Sequence, residues 1–267
     1  MQLRTTAADV GIVFFDRSPK AAAMFDAWKA DPRRALVAPA VLGVEITVPY
    51  RITPEDVRRV CARTDHALGK ADRRTAEGVE SIRDWHPDFA FAHTLAMATE
   101  ELGLVPTYQE FRDYFLNTAN GLERLGSPAI RAMDDAVVHG HSVEAAKHAM
   151  RWRVGNAYYA YLKELYLVTL LRDLGHDART HPLADALLRV DCWVGDVVLS
   201  LYVGNTFYRS GDRGRKVPSH EILGDAKPKF DFRELELPTP HKFGVVKLPD
   251  ADEVAAWAGK NLRSGAR

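Results

Sequence analysis

Hydrophobic residues recur at helical spacing through most of the first 150 positions. Thr53 to Asp56 reads TPED, in which Thr suits the N-cap, Pro the first helical position and the acids the first turn. The predicted helices cover residues 54–85, 89–102, 106–126, 142–150 and 152–174. The apolar runs VGIVFF (10–15) and RALVAPAVLGVEITV (34–48) are candidate short strands.

After Gly175 the pattern changes to short β-rich segments separated by turn residues. LLRVDCWVGD (187–196) and VVLSLYV (197–203) are rich in β-branched and aromatic residues and meet at Gly195, which predicts a hairpin. HKFGVVKLP (241–249) is the candidate last strand, and a closing helix follows it. The stretch between the hairpin and that strand contains many turn residues and predicts a loop.

A boundary near residue 150 separates a helical half from an α/β half that includes the helix predicted over 152–174. We expect an α+β (mixed α/β) fold, with a mainly helical region over 1–150 and an α/β domain over 151–267. Of the 267 residues, 46% are hydrophobic and 27% are charged, which is typical of a globular protein. The formal net charge is zero, so only local clusters of charge can indicate a polyanionic partner.

Cysteine usage and hydropathy indicate the compartment. Cys61 and Cys192 lie far apart and predict neither a disulfide framework nor a paired metal site, which suits a reducing cytoplasm. The longest early apolar run, residues 10–15, is too short for a signal peptide or a membrane span. We therefore expect a cytoplasmic protein without a membrane partner.

Two acids stand out against apolar surroundings, one in the long helix and one in the hairpin. Glu164 has no Lys or Arg three or four positions away, so no local ion pair offsets the cost of burying its charge. Asp191 lies between Val190 and Cys192. If the two acids converge, they could hold a divalent cation through hard oxygen ligands. In phosphodiester hydrolysis such a cation would activate water and neutralise charge on the transition state.

Purely structural roles are the alternative for both acids. Glu164 could pair with an arginine such as Arg189 or Arg153. Asp191 could cap a turn, or pair with Arg189 or His181. The surrounding strands would then be ordinary core.

The segments that carry the two acids resemble the PD-(D/E)xK, or restriction-endonuclease-like, superfamily over residues 150–205. The resemblance is carried by AYLKELYLVTLLRDLGHDARTHP, LLRVDCWVGD and VVLSLYV. It implies a restriction-endonuclease-like domain in which Glu164 and Asp191 bind Mg²⁺. The later (D/E)xK motif of that family, which supplies an acid and a lysine, falls here on Ser200 and Tyr202.

This departure puts cleavage in question. Serine is a poorer Mg²⁺ ligand than a carboxylate, and a tyrosine phenol is neutral at pH 7. Cleavage is therefore lost or depends on groups supplied from elsewhere in the chain. The candidate substitutes are Asp196, Lys163, Arg209, Arg215 and Lys216. We take Lys216 as the catalytic candidate, because a cation there could stabilise the charge that develops on the phosphate.

Two further segments predict nucleic-acid contacts. YRSGDRGRK (208–216) is a Gly-rich basic loop directly after the hairpin. Its candidate phosphate-binding residues are Arg209, Arg213, Arg215 and Lys216. Residues 89–117 form a candidate helix-turn-helix, with Gln109 and Arg112 on the exposed side of the second helix.

These patterns together predict a protein that binds or processes nucleic acid, with DNA favoured, through a nuclease-like domain. The resemblance alone adds a setting in bacterial defence or mobile-element biology. The alternative is a catalytically inactive module, without a metal, that acts as a DNA-binding or protein-interaction subunit. A protein partner or a second copy of the chain would then complete the assembly.

Overall fold

The computed structural model describes residues 3–203, 217–237 and 241–262. The described chain combines many helices with two small sheets, so the predicted α+β class is confirmed. No described helix is both long enough and apolar enough to cross a membrane.

Eleven of the described helices precede the first strand, which begins at residue 178. The described helices are α1 (Ala7–Val10), α2 (Pro19–Ala30), α3 (Val37–Gly43), α4 (Pro54–Arg63), α5 (Arg73–Glu77), α6 (Glu80–Arg83), α7 (Phe91–Leu102), α8 (Tyr108–Asn117), α9 (Ala119–Gly121), α10 (Ser127–Val138), α11 (Val143–Asp173), α12 (Ser219–Ile222) and α13 (Ala251–Asn261). Short 3₁₀ turns lie at Pro32–Arg34 and Val48–Tyr50, and π-helical turns at Gly11–Phe15, Leu122–Gly126 and Ala184–Leu188.

The strands form two sheets. They are β1 (Ala178–Arg179), β2 (Cys192–Val194), β3 (Val197–Val203), β4 (Asp231–Leu237), β5 (His241–Phe243) and β6 (Val246–Leu248). The larger sheet has the order β1-β2-β3-β4, in which the first three strands are antiparallel and β4 runs parallel to β3. The smaller sheet is the β5-β6 hairpin.

The chain divides into two compact units that do not coincide with the predicted halves 1–150 and 151–267. Unit 1 contains residues 1–58, 163–243 and 247–267, and unit 2 contains residues 59–162 and 244–246. The first 58 residues thus cluster with the C-terminal part of the chain. Contacts between distant segments decide this division, and hydrophobic periodicity does not report such contacts.

The core of unit 1 forms around the larger sheet. Phe14 packs edge-on against Trp193 of β2, with ring centroids 5.3 Å apart, and lies at the same separation from Phe230. The sheet residues Val198 and Leu199 are buried as well. These contacts explain why the N-terminal segment belongs to this unit.

The core of unit 2 is helical and aromatic. Tyr158 of α11 is fully buried, and its ring lies 5.4 Å from Tyr108 and 6.2 Å from Phe111 of α8. Leu95 of α7 is buried in the same unit. Tyr158, Leu162, Leu165 and Thr169 follow one another at helical spacing as a stripe along α11, and all four are buried.

Both strand predictions in the N-terminal half are wrong. Residues 10–15 are helical because a capping box starts a helix just before them: the Thr6 hydroxyl accepts from the Asp9 amide, and the Asp9 carboxylate accepts from the Thr6 amide at 2.7 Å. Residues 37–43 within the second run form α3. Only Ile46 makes a β-bridge, with Thr5.

Several predicted helix boundaries also change. The helix predicted over 54–85 is divided into α4, α5 and α6, because Gly69 adopts a left-handed φ of 56° and Asp72 starts a new helix by accepting from the Thr75 amide at 2.9 Å. The helices predicted over 142–150 and 152–174 form one continuous helix, α11, since no helix-breaking residue separates them.

The C-terminal third contains more strands than predicted. The predicted loop includes β4, whose sequence DFRELEL exposes most of its side chains. The predicted last strand is a hairpin, β5-β6, and the closing helix α13 is confirmed. The predicted 187–203 hairpin is confirmed, although β2 starts one residue after Asp191.

Candidate functional site

Glu164, the first acid of the candidate site, is the second residue of the part of α11 that belongs to unit 1. Helix α11 is buried almost continuously from Leu165 to Leu171. Lys163 and Glu164, immediately before this run, are only partly buried. Among the described residues, neither side chain forms an ion pair or a hydrogen bond. The charge of Glu164 is therefore not neutralised by a direct contact with this part of the chain.

The second acid is held firmly at the start of the hairpin. The Asp191 carboxylate accepts a hydrogen bond from the Leu201 amide of β3 at 2.6 Å. The Asp191 carbonyl accepts from the Thr180 hydroxyl at 3.0 Å. Asp191 is thus fixed from both sides, by the residue after β1 and by β3, and it remains partly exposed.

A third acid, which the sequence pattern does not reveal, lies in the π-helical turn before the hairpin. Asp185 is partly buried, and its carbonyl accepts from the Arg189 amide at 3.1 Å. Arg189 has a φ of 59°, in the left-handed region that a side chain other than glycine rarely adopts. This conformation redirects the chain into Asp191 and β2. A single Asp in the apolar segment LADALL gives no periodic signal, which is why it was missed.

The neighbouring acids affect the ionisation of Glu164. Burial, then the negative charges of Asp191 and Asp185, raise the pKa of the Glu164 carboxyl well above its ordinary value, while Lys163 opposes the shift. Burial and the charges of Asp191 and Glu164 likewise raise the pKa of the Cys192 thiol. The helix acid and the hairpin acid therefore lie within electrostatic reach of each other.

Two of the proposed alternative partners are engaged elsewhere. Arg153 belongs to unit 2, where its guanidinium donates to the carbonyls of Arg83 and Trp85. His181 accepts from the Leu183 amide at 3.1 Å and donates to the Val44 carbonyl at 3.3 Å, so it is the neutral tautomer protonated on Nε2. Burial lowers the pKa of His181 to about 4, which excludes it as a cationic partner of Asp191 at neutral pH.

The donor set fits one kind of metal better than another. Within the described part of the chain, no group of three or more His, Cys, Asp or Glu residues is arranged to hold a metal ion, whereas a zinc site normally uses three or four such ligands. Mg²⁺ is commonly held by one or two carboxylates together with substrate phosphates. The carboxylates of Glu164 and Asp191 are hard oxygen donors of the type that such a site uses.

The two positions at which the resemblance expects the (D/E)xK motif lie on β3, beside two glutamates of β4. Ser200 pairs in register with Glu234 of β4, and Tyr202 with Glu236. Asp196, one of the candidate substitutes, is exposed and forms an ion pair with Arg17 at 2.6 Å. Asp196 therefore has a structural role, whereas Lys163 lies beside the acid cluster.

The predicted phosphate-binding residues of the basic loop lie outside the described residues. They are Arg209, Arg213, Arg215 and Lys216.

Gln109 and Arg112 both lie on α8, the second helix of the predicted helix-turn-helix. The Gln109 side-chain amide accepts from the Asp65 amide at 2.9 Å and donates to the Arg63 carbonyl at 3.3 Å, which fastens the end of α4. Arg112 is exposed.

No family model, curated protein or solved structure matches the chain. Function must therefore be inferred from the geometry and chemistry of the site.

Proposed function

We propose that the protein binds a divalent cation of the Mg²⁺ type at Glu164 and Asp191 and uses it to engage and hydrolyse the phosphodiester backbone of nucleic acid, with DNA favoured. The observation that carries the proposal is the state of Glu164. The negative charges of Asp191 and Asp185 raise the pKa of its partly buried carboxyl, and this carboxyl makes no ion pair with the described residues. A bound cation would supply the missing countercharge.

The two acids are positioned by rigid elements, which favours a binding role. Glu164 is held by the buried part of α11, and Asp191 by the hydrogen bonds from Leu201 and Thr180. Supporting contacts of this kind keep ligands oriented before the metal arrives. A bound Mg²⁺ would neutralise charge on the phosphate and promote the attack of water on phosphorus.

The proposed placement of the protein in the PD-(D/E)xK superfamily has support of the same kind. The acid of a long helix and the acid of the following hairpin were expected to meet, and their mutual electrostatic effect agrees with that expectation. A role in bacterial defence or mobile-element biology is proposed from the resemblance alone.

A noncatalytic module is the second candidate function. It is favoured by Ser200 and Tyr202, which stand where the resemblance expects an acid and a lysine. Such a module would hold nucleic acid or a protein partner without cutting it.

The test begins with cation binding. Calorimetric titration of the wild type with Mg²⁺ or Mn²⁺ should show binding that Asp191→Asn and Glu164→Gln weaken at least about tenfold. The exposed carboxylate of Glu253 on α13 provides the matched control, Glu253→Gln, which should bind as the wild type does. A wild type that binds neither cation would contradict the proposal.

Incubation with plasmid, short duplexes and single strands then separates the two candidates. Cation-dependent products that disappear in Asp191→Asn support hydrolysis. Retarded but intact nucleic acid supports the noncatalytic module, and a steep salt dependence would show that phosphate contacts dominate.

A further inference from the structure

A cleft lies in unit 1 beside the first two strands of the larger sheet, and neither Glu164 nor Asp191 lines it. Its volume is about 280 Å³. At about 30 Å³ for each water molecule, this is room for about nine waters, or for an organic molecule the size of leucine. The residues used below are Asp9, Ile12 and Val13 from the N-terminal segment, and Asp177, Arg179 and Trp193 from the strands and the residue before them.

Strand register fixes the sheet side of the cleft. Arg179 of β1 lies directly opposite Trp193 of β2 in an antiparallel pair. Side chains paired in this way leave the same face of the sheet, with Cβ atoms about 5 Å apart. The Trp193 ring is held by the edge-on contact with Phe14. Gly195 borders the cleft, and a Cβ built there would meet no described atom within 4 Å, so the space beside it is open.

The capping box at Thr6 fixes the helical side of the cleft. The Asp9 Oδ2 atom accepts from the Thr6 amide at 2.7 Å and from the Thr6 hydroxyl at 2.8 Å. Ile12 and Val13 follow Asp9 by three and four positions, so the helical segment turns all three towards the cleft that they line. Ile12 is 65% exposed, which leaves an apolar wall open to a ligand.

Three polar groups of the cleft keep capacity for a ligand. Arg179 donates through Nε to Asp177 at 2.9 Å and through Nη1 to the Arg4 carbonyl at 3.2 Å, whereas Nη2 donates to no described group. Trp193 is only 3% exposed, and its indole N–H has no acceptor in the described part of the chain. The Oδ1 atom of Asp9 likewise accepts from none of the described residues. Buried donors left unpaired lower stability, so a ligand that accepts from them is favoured.

The charges around the cleft balance. Arg172 contacts the Asp177 carboxylate at 3.2 Å and Arg179 contacts it at 2.9 Å, and the Asp9 charge cancels the remaining positive charge. Burial raises the pKa of the Asp9 carboxyl, yet the Thr6 hydrogen bonds and the nearby arginines outweigh burial and hold this pKa below its ordinary value. Asp9 is therefore ionised at neutral pH. A balanced lining does not favour a polyphosphate and suits a ligand with one charge of each sign.

We propose that this cleft binds a free α-amino acid with an aliphatic side chain. The ammonium group of the ligand donates to Asp9 Oδ1, and its carboxylate accepts from Arg179 Nη2 and the Trp193 indole. The aliphatic side chain covers Ile12 and Val13. The charged contacts orient the ligand, and burial of apolar surface adds affinity. Binding involves no chemical step and does not depend on the cation site.

The first test varies the ligand. Calorimetric titration of the full-length wild type with L-leucine should show saturable binding with a Kd of about 1 mM or less. Isopentylamine lacks the carboxylate of leucine, and 4-methylpentanoate lacks its ammonium group. Each should bind at least about tenfold more weakly, because each leaves a charged group of the cleft unpaired. No binding of L-leucine at about 10 mM, or equal binding of either analogue, would overturn the inference.

The second test varies the charged side of the cleft. Asp9→Asn keeps an acceptor for the Thr6 amide and removes the charge, so L-leucine should bind at least about tenfold more weakly. Asp56→Asn is the matched control, because Asp56 accepts from the Thr53 amide at 2.8 Å and from its hydroxyl at 2.7 Å, in the same kind of cap, but does not line the cleft. Trp193→Phe keeps an aromatic ring, removes the N–H and should weaken binding about three- to tenfold.

The third test varies the apolar wall. Ile12→Ala removes surface that the aliphatic side chain would cover, so the affinity for L-leucine should fall about threefold. Leu36→Ala is the matched control, since Leu36 is also 65% exposed and does not line the cleft. Leu36→Ala should bind L-leucine as the wild type does. Thermal melting checks that each variant is folded.

The outcomes separate this inference from the proposed function. Titration in EDTA should match titration in Mg²⁺, because no cation takes part. A wild type that binds L-leucine but no cation contradicts the proposed function alone, and one that binds a cation but no L-leucine contradicts this inference alone. Equal losses in Asp9→Asn and Asp56→Asn would assign the loss to helix capping and overturn the inference. If Asp9→Asn does not fold, unchanged affinity in both Trp193→Phe and Ile12→Ala overturns it.

Discussion

Two neighbouring stretches of α11, one in each unit, hold their polar side chains differently. In unit 2, the Tyr158 hydroxyl donates to the Pro106 carbonyl at 2.9 Å, and the Tyr161 hydroxyl donates to Thr99 at 2.7 Å. In unit 1, Glu164 and Lys163 are partly buried and make no such contacts with the described residues. Satisfied polar groups stabilise a fold, whereas a partly buried charge without a direct contact lowers its stability, and this cost is the reason for proposing a bound cation.

The largest expected effect lies in the aromatic core of unit 2. Tyr158→Ala should lower the free energy of unfolding by about 3–5 kcal/mol, because it leaves a cavity beside Tyr108 and Phe111. Tyr158→Phe keeps the ring and should cost only about 1 kcal/mol. Urea unfolding followed by circular dichroism measures both. Equal costs for the two variants would mean that packing of the ring is unimportant.

The next effect is an acid sensitivity of unit 1. The pKa of His181 is about 4 in the folded protein and near 6.5 when exposed, so the unfolded chain takes up the proton first as the pH falls. The stabilisation from neutral His181 is complete above pH 6.5 and should decrease by about 3 kcal/mol as the pH falls to 4.

A variant isolates this contribution. His181→Asn keeps an acceptor for the Leu183 amide and removes the titrating group. Its unfolding free energy should therefore change less between pH 6.5 and 4 than that of the wild type. Identical pH profiles, measured by urea unfolding, would assign the acid sensitivity to other groups.

A smaller effect of opposite sign is expected at the acid cluster. The raised pKa of Glu164 means that its ionised form destabilises the folded state at neutral pH. Glu164→Gln should increase the free energy of unfolding at pH 7 by about 0.5–2 kcal/mol, and this advantage should shrink as the pH falls. Thermal melting provides the measurement, with Glu253→Gln as a surface control that changes stability by less than about 0.5 kcal/mol. A destabilised Glu164→Gln would indicate that the carboxylate has a structural partner.

The smallest effect concerns the helix pair of unit 2. Gln109→Ala should cost about 1 kcal/mol of stability, because its side chain satisfies the Asp65 amide and the Arg63 carbonyl. We expect DNA affinity to be unchanged, since the amide is already used within the unit. Arg112→Ala, on the same helix and exposed, is the matched control and should leave stability within about 0.5 kcal/mol. Weaker DNA retention by Gln109→Ala at full stability would reverse this assignment.

Local signals in the sequence predicted the elements that position the candidate site. The hairpin around Gly195 and the apolar stripe of α11 follow from residue type and periodicity. Glu164 and Asp191 were identified because each is a charge in apolar company. Asp185 could not be identified, since its placement depends on the turn at Arg189 and on contacts between distant segments.

The incorrect predictions share a physical cause. Short apolar runs are compatible with helix or strand, and in residues 10–15 the capping box at Thr6 favours the helix. Strand β4 was missed because most of its side chains are exposed and polar, which resembles a loop. In both cases hydrophobic periodicity does not report the deciding contact, which is a side-chain cap in the first case and pairing with the distant β3 in the second.

The interruption of unit 1 by unit 2 has a consequence for synthesis on the ribosome. Residues 59–162 emerge as one stretch, so most of unit 2 can fold while the rest of the chain is still being made. The first 58 residues must wait for β2 and Phe230 before Phe14 finds its packing partners. Nascent chains arrested before residue 190 should therefore protect the helical segment from protease and leave the N-terminal segment open to cleavage.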